Sequence, residues 1–198
     1  MKDRSKHLVA ALFLVAAVVA FRLLPIYGSD HLVSAMANFA PLAALALCGG
    51  MFLPHKLAAG VTFGAFLISD VALNLHYGQP VLNLYSLVLL LAFAAIFFGG
   101  WALRKRPSLG TAIGGTLAGV ALFYIVTNTA AFFYDPGYAK TFAGWLQALS
   151  VGLPGLPPTW VFGLRALAGN LVFALAFYLA VRPAAAKTQL APTTAPAA

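Results

Sequence analysis

Glutamate is absent from this chain, and charge of either sign is scarce: 8% of the 198 residues are charged, and aspartate supplies all four acids. A soluble domain carries about 25% charged residues, so a water-facing surface of ordinary charge density cannot be assembled from this sequence. The single cysteine, Cys48, excludes a disulfide framework and a thiolate metal site, and its place inside an apolar run marks it as packing. No Gly-Lys-Ser phosphate loop occurs, so the chain does not itself hydrolyse ATP. No Gly-x-Ser-x-Gly elbow surrounds Ser69. His7, His31, His55 and His76 sit at the edges of apolar runs without the spacing of a zinc-hydrolase helix. An enzyme is not expected, nor is a metal or other cofactor.

What is present is apolar sequence. Hydrophobic residues make up 62% of the chain, and runs long enough to cross a hydrocarbon core of about 30 Å recur along it. They predict an all-α, polytopic integral membrane bundle of six transmembrane helices, near His7 to Leu24, Asn38 to Leu53, Lys56 to His76, Val81 to Leu103, Leu109 to Ala131 and Thr159 to Val181. Turn formers separate them: Pro25, Pro54, Gly78-Gln79-Pro80, Pro107, Asp135-Pro136-Gly137, and Gly152 through Pro158. Residues 1–182 form one transmembrane domain with an external loop at 132–158, and the Ala-, Pro- and Thr-rich segment 183–198 is expected to be a disordered cytoplasmic tail. Val18-Val19-Ala20 resembles a signal-peptidase site. The apolar stretch nevertheless continues through Phe21, Leu23 and Leu24 towards spanning length, so the first span is expected to stay uncleaved.

The net charge of +8 reads as topology rather than nucleic-acid binding, because the basic residues form short clusters between apolar runs. One set of alternate loops collects Lys2, Arg4, Lys6, Lys56, Arg104, Lys105, Arg106, Arg182 and Lys187, whereas the other holds only Lys140. Lysine and arginine are retained on the cytoplasmic side, which predicts a multi-pass protein of the bacterial cytoplasmic (inner) membrane with both termini inside. In the external loop, Phe142, Trp145, Leu146 and Leu149 recur at helical spacing, as expected of a short interfacial helix that anchors in the headgroups or covers an external pocket.

With this orientation the polar residues inside the spans gather in the external half. Charged groups there need a partner, hydration or a function, so Asp70 is expected to pair with Arg22 or Arg165. The remaining arginine would then be free for a carboxylate, a phosphate or an electron-rich ring. Arg165 ranks ahead of Arg22, which lies close to Pro25 and can snorkel to the headgroups. Asp70 with Asn74, and Tyr124 with Asn128, stand four residues apart on single helix faces. With Asn170 and Asn38 these make a candidate substrate-binding set: Asp70, Asn74, Tyr124, Asn128, Arg165, Asn170, Arg22 and Asn38. Helix-to-helix hydrogen bonds compete with ligand binding as the role of each asparagine, and Asn38, like Asn83, stands where it would cap a helix. Ala16 with Ala20, Gly60 with Gly64, Gly110 with Gly114 and Gly115 with Gly119 have the spacing of close helix contacts, internal or to a second subunit.

The segment Asn38-Phe39-Ala40-Pro41-Leu42-Ala43-Ala44, followed by Gly49-Gly50, the basic turn His55-Lys56 and then Ser69-Asp70, resembles a group of bacterial six-span membrane proteins. That group is similar to the substrate-binding S components of energy-coupling factor (ECF) transporters. The resemblance runs from Arg22 to Arg106. It implies a six-helix protein that captures a vitamin-like organic solute near the external surface and is driven by a separate membrane T subunit with ATPases. Ala16 and Ala20 match the spacing of the docking motif of such components. The opening Met1-Lys2-Asp3 lacks the nearby histidine of the nickel and cobalt members, so the resemblance implies an organic ligand. A membrane scaffold or assembly protein, in which Asp70 and arginine merely join helices, is the alternative. The lipid bilayer is a partner in either case, and nucleic acid in neither.

Overall fold

The computed structural model describes residues 2–27 and 41–189. Among them the regular structure is helical throughout: α1 (Lys2–Tyr27), α2 (Leu42–Phe52), α3 (His55–His76), α4 (Leu84–Leu103), α5 (Leu109–Tyr134), α6 (Phe142–Leu149) and α7 (Thr159–Gln189). Five of these, α1, α3, α4, α5 and α7, are long and apolar enough to cross a membrane. The second expected span, Asn38 to Leu53, takes a different form. Its described part is α2, whose 11 residues reach about 16 Å at the helical rise, roughly half of a hydrocarbon core. Asn38 and His31 lie outside the described residues. At the other end of the chain, α7 passes Pro183 and continues to Gln189, into the segment for which no regular structure was expected.

Local chemistry sets several boundaries. The helix expected from Val81 begins at Leu84, because Asn83 caps it by accepting a hydrogen bond from Ser86 N at 2.8 Å. Ser108 and Thr111 form a reciprocal capping box that opens α5. Thr141 accepts from Gly144 N at 3.2 Å to start α6, the helix expected within the external loop. After α3 the chain turns through Gly78 at φ 65, a left-handed conformation that a side chain would disfavour.

The short helix is the centre of the bundle. Ala43 through Met51 are all buried, and α2 packs against α3, α4, α5 and α7 and more lightly against α1. Around it, α3 lies beside α1, α1 beside α7, α7 beside α5, and α5 beside α4. Aromatic rings link α3 to α4, with Phe66 stacked on Phe93 at 4.7 Å and Phe63 edge-on to Phe97 at 5.0 Å. The bundle has two ends. At the lower one, His7 Nδ1 donates to Ala180 O at 2.7 Å, and α2 meets the end of α4. The upper one carries Arg22, Asn74, Ser86 and Thr159.

Two backbone approaches make this packing possible. A Cβ on Gly50 would stand 2.2 Å from Phe97 O, and one on Gly100 would stand 2.2 Å from Leu47 O, so α2 and α4 touch through bare backbone. The glycine pairs anticipated from spacing divide. Gly115 and Gly119 face Leu47 and Ile96 inside the bundle, whereas Gly60, Gly64 and Gly114 have open space where a side chain would be. Ala16 and Ala20 are exposed.

Candidate functional site

Because α2 starts inside the bundle, its first N–H groups need a partner there, and side chains from other parts of the fold meet both of its ends. Its N-cap is Pro41, which offers no side-chain cap. Asn170 of α7 supplies the missing acceptor, with Ala44 N donating to its Oδ1 at 2.7 Å while its own Nδ2 donates to Ala166 O at 2.7 Å. At the opposite end Arg104 donates through Nε and Nη2 to Gly50 O at 3.0 and 2.6 Å, and through Nη2 to Leu53 O at 2.7 Å. Burial draws the Arg104 guanidinium below its usual range, although arginine keeps its charge. A cation at a helix C-terminus and an amide oxygen at its N-terminus both suit the helix dipole.

Above the first turn of α2 lies a cavity of about 510 Å³, within the 300–1,000 Å³ range of small-molecule sites. Among the described residues, Leu42 and Ala43 form its floor, Phe123, Tyr124 and Phe162 supply aromatic wall, and Thr127, Asn128, Asn170 and Arg22 supply polar atoms. The Tyr124 hydroxyl donates to Leu149 O at 2.7 Å, so this wall of the cavity is tied to the end of α6. Gly163 leaves room for the Tyr124 ring, whose Cε2 would be 2.8 Å from a Cβ there.

Beside the cavity sits an ion pair. Arg22 Nη2 meets Asp70 Oδ1 at 2.7 Å, and each residue is only 7% exposed. Arg22 Nη1 donates to Ser69 Oγ at 2.9 Å and to Phe66 O at 3.2 Å, and the guanidinium lies 4.9 Å from the centre of the Phe66 ring. Asn74 Nδ2 bridges Asp70 Oδ2 at 3.2 Å and Ser86 Oγ at 3.0 Å. This network joins α1, α3 and α4.

The candidate residues therefore fall into separate groups. Asp70 and Asn74 belong to the ion-pair network and do not line the cavity. Tyr124, Asn128 and Asn170 line it, and Arg22 belongs to both groups. Arg165 belongs to neither. It is exposed on α7, makes no hydrogen bond or ion pair among the described residues, and lies off the cavity wall. Of the two pairings expected for Asp70, the structure has the one with Arg22, which is buried rather than reaching to the headgroups.

The helical period accounts for this. Arg165 and Asn170 are five positions apart, about 140° around a helix of 3.6 residues per turn, so only one of them can face the cavity. The cavity face of α7 is the stripe Thr159, Gly163, Ala166 and Asn170. Phe123, Phe162 and Tyr77 also line the cavity and were not singled out, since apolar and aromatic residues carry little contrast within a hydrophobic sequence, and Tyr85, one of the polar residues of the external half, lines it too. Phe123 had one available signal, its i, i+4 relation to Thr127 beside the Tyr124–Asn128 pair. Among the described residues no group of three or more His, Cys, Asp or Glu gathers to hold a metal ion.

Comparison with known proteins matches residues 2–193 to a family model described as a family of unknown function, DUF6580. No curated protein and no solved structure matches the chain.

Proposed function

Since the chain belongs to this family of unknown function, DUF6580, its role has to come from its own site, and we propose that it is a membrane protein that captures a small organic solute for uptake. The observation that carries the reading is the cavity of about 510 Å³ at the upper end of the bundle, with aromatic walls and the polar groups of Arg22, Asn128 and Asn170. Apolar walls with a few convergent polar groups are the usual form of a solute site. In this reading the protein is not an enzyme. The chain crosses the bacterial cytoplasmic membrane six times with both termini inside, and α2 is the described part of the second crossing. The cavity then faces outward, where an ECF S component would take its substrate, and a separate T subunit with ATPases drives transport.

The ion-pair network favours a second reading. Arg22 and Asp70 satisfy one another and hold α1 to α3, as a scaffold or assembly protein would require. The two readings part over occupancy of the cavity. Native mass spectrometry of the purified protein should show a bound small molecule, or thermal-shift screening should find a stabilising solute. Ala166→Phe, which fills the cavity from α7, should abolish either signal while the variant remains folded. Absence of any bound or stabilising solute in the wild type would overturn capture in favour of the scaffold.

A further inference from the structure

The cavity has a charge balance that limits what it can hold. Arg22 is the one ionised side chain on its wall among the described residues, and its charge is already matched by Asp70 at 2.7 Å, with both residues buried. Arg165, which was expected to offer a free cation, is exposed away from the wall. An anionic guest would share the single charge of Arg22 with Asp70 and leave a net negative charge buried, an arrangement strongly disfavoured in a desolvated setting. A cationic guest would find no carboxylate on the wall among the described residues, because Asp70 points its two oxygens at Arg22 and Asn74.

The neutral polar groups add a direction. Asn128 commits an amide N–H to Tyr124 O at 2.8 Å, and the Thr127 hydroxyl donates to Phe123 O at 2.8 Å. The Asn128 carbonyl oxygen and the lone pairs of the Thr127 hydroxyl are left as acceptors, with one Asn128 N–H left as a donor beside them, and both residues line the cavity. On the other side, Arg22 has five N–H donors, of which three are engaged by Phe66 O, Ser69 Oγ and Asp70. Its others can meet a neutral oxygen. Phe123 and Phe162 supply aromatic rings to the wall, against which a planar guest can pack.

Building on the capture reading above, we propose that the solute is an uncharged planar ring compound, presenting N–H or O–H donors to Asn128 and Thr127 and a neutral oxygen acceptor to Arg22. The charge of the described wall disfavours carboxylates, phosphates and ammonium compounds of similar shape. A matched set of probes tests this: indole-3-acetamide, indole-3-acetate and tryptamine, titrated against the protein in nanodiscs, alongside accurate-mass identification of any solute retained on purification. The amide should bind at least tenfold more tightly than either ion, and a retained solute should be uncharged at pH 7.

Asp70→Asn, which bares the Arg22 cation, should shift the ratio of indole-3-acetate to indole-3-acetamide affinity at least tenfold towards the anion. If that variant does not fold, Asn128→Leu is the substitute, and it should weaken amide binding at least tenfold. Tightest binding of an ionic probe, or a charged retained solute, would overturn the neutral-guest proposal while leaving capture intact, as would Asp70→Asn or Asn128→Leu without these effects. No retained solute together with no binding by any probe would overturn capture itself.

Discussion

Two opposite charges placed among phenylalanines are stable only as long as each keeps the other. Removing one member of a buried, hydrogen-bonded pair leaves the second uncompensated, which typically costs about 3–5 kcal/mol, whereas replacing both with apolar groups of similar volume is often neutral. Asp70→Ala should therefore lower the unfolding free energy by about 3–5 kcal/mol, and Arg22→Met with Asp70→Leu should recover most of the loss. Denaturant titration of the three proteins in mixed micelles checks this, and a double variant as unstable as the single one would contradict it. The pairing was partly legible in the sequence. Counting along helices placed Asp70, Arg22 and Arg165 at compatible depths, but depth says nothing of which way a residue faces, so it left open which arginine meets Asp70 and whether Arg165 faces the cavity. The same counting placed Tyr124, Asn128 and Asn170 at the level of the cavity they line.

At the scale of the element, α2 is what the sequence was least able to convey. Hydropathy registers an apolar run from Asn38 to Leu53, but it does not show that the helix within it starts only at Leu42 and is buried at the centre of the bundle. The residues that make it central carry no pattern of their own. Gly50 and Gly100 stand against each other's helices through backbone atoms, whereas the four-residue spacing drew attention to Gly60 and Gly64, where an added Cβ would meet nothing. A stripe of small residues shows where a helix is thin, and only the neighbour decides whether thinness is used. Gly100→Ala should destabilise the protein by about 1–3 kcal/mol, the usual range for overpacking, because its new methyl meets Leu47 O rather than a side chain that can move. Gly60→Ala should leave stability unchanged or raise it, as alanine is the better helix former by about 1 kcal/mol. Melting temperatures measured side by side test the contrast, and an equal loss in both would refute the assignment of α2–α4 as the tight contact.

For the molecule as a whole, capture depends on which side of the membrane the cavity faces, and the distribution of basic residues favours the outer side. One of these has another task. Arg104 closes the C-terminus of α2 through Gly50 O and Leu53 O, so its position follows from the fold as well as from any retention by the cytoplasm. Without it the lower end still carries Lys56, Lys105 and Arg106 against Lys140 at the upper end. Lys140 is itself engaged, donating to Phe132 O and Asp135 O. The bias therefore survives, and it predicts a labelling pattern. Gln79 and Pro107 are exposed in turns at the upper and lower ends, and the native thiol of Cys48 is buried, so single introduced cysteines can be read without removing it. In intact cells a membrane-impermeant maleimide should label Gln79→Cys and leave Pro107→Cys and the wild type unlabelled. Permeabilised cells should add Pro107→Cys alone. The opposite pattern would place the cavity towards the cytoplasm, where a subunit that captures solutes for uptake has nothing to collect, and capture would fail on topology whatever the cavity binds.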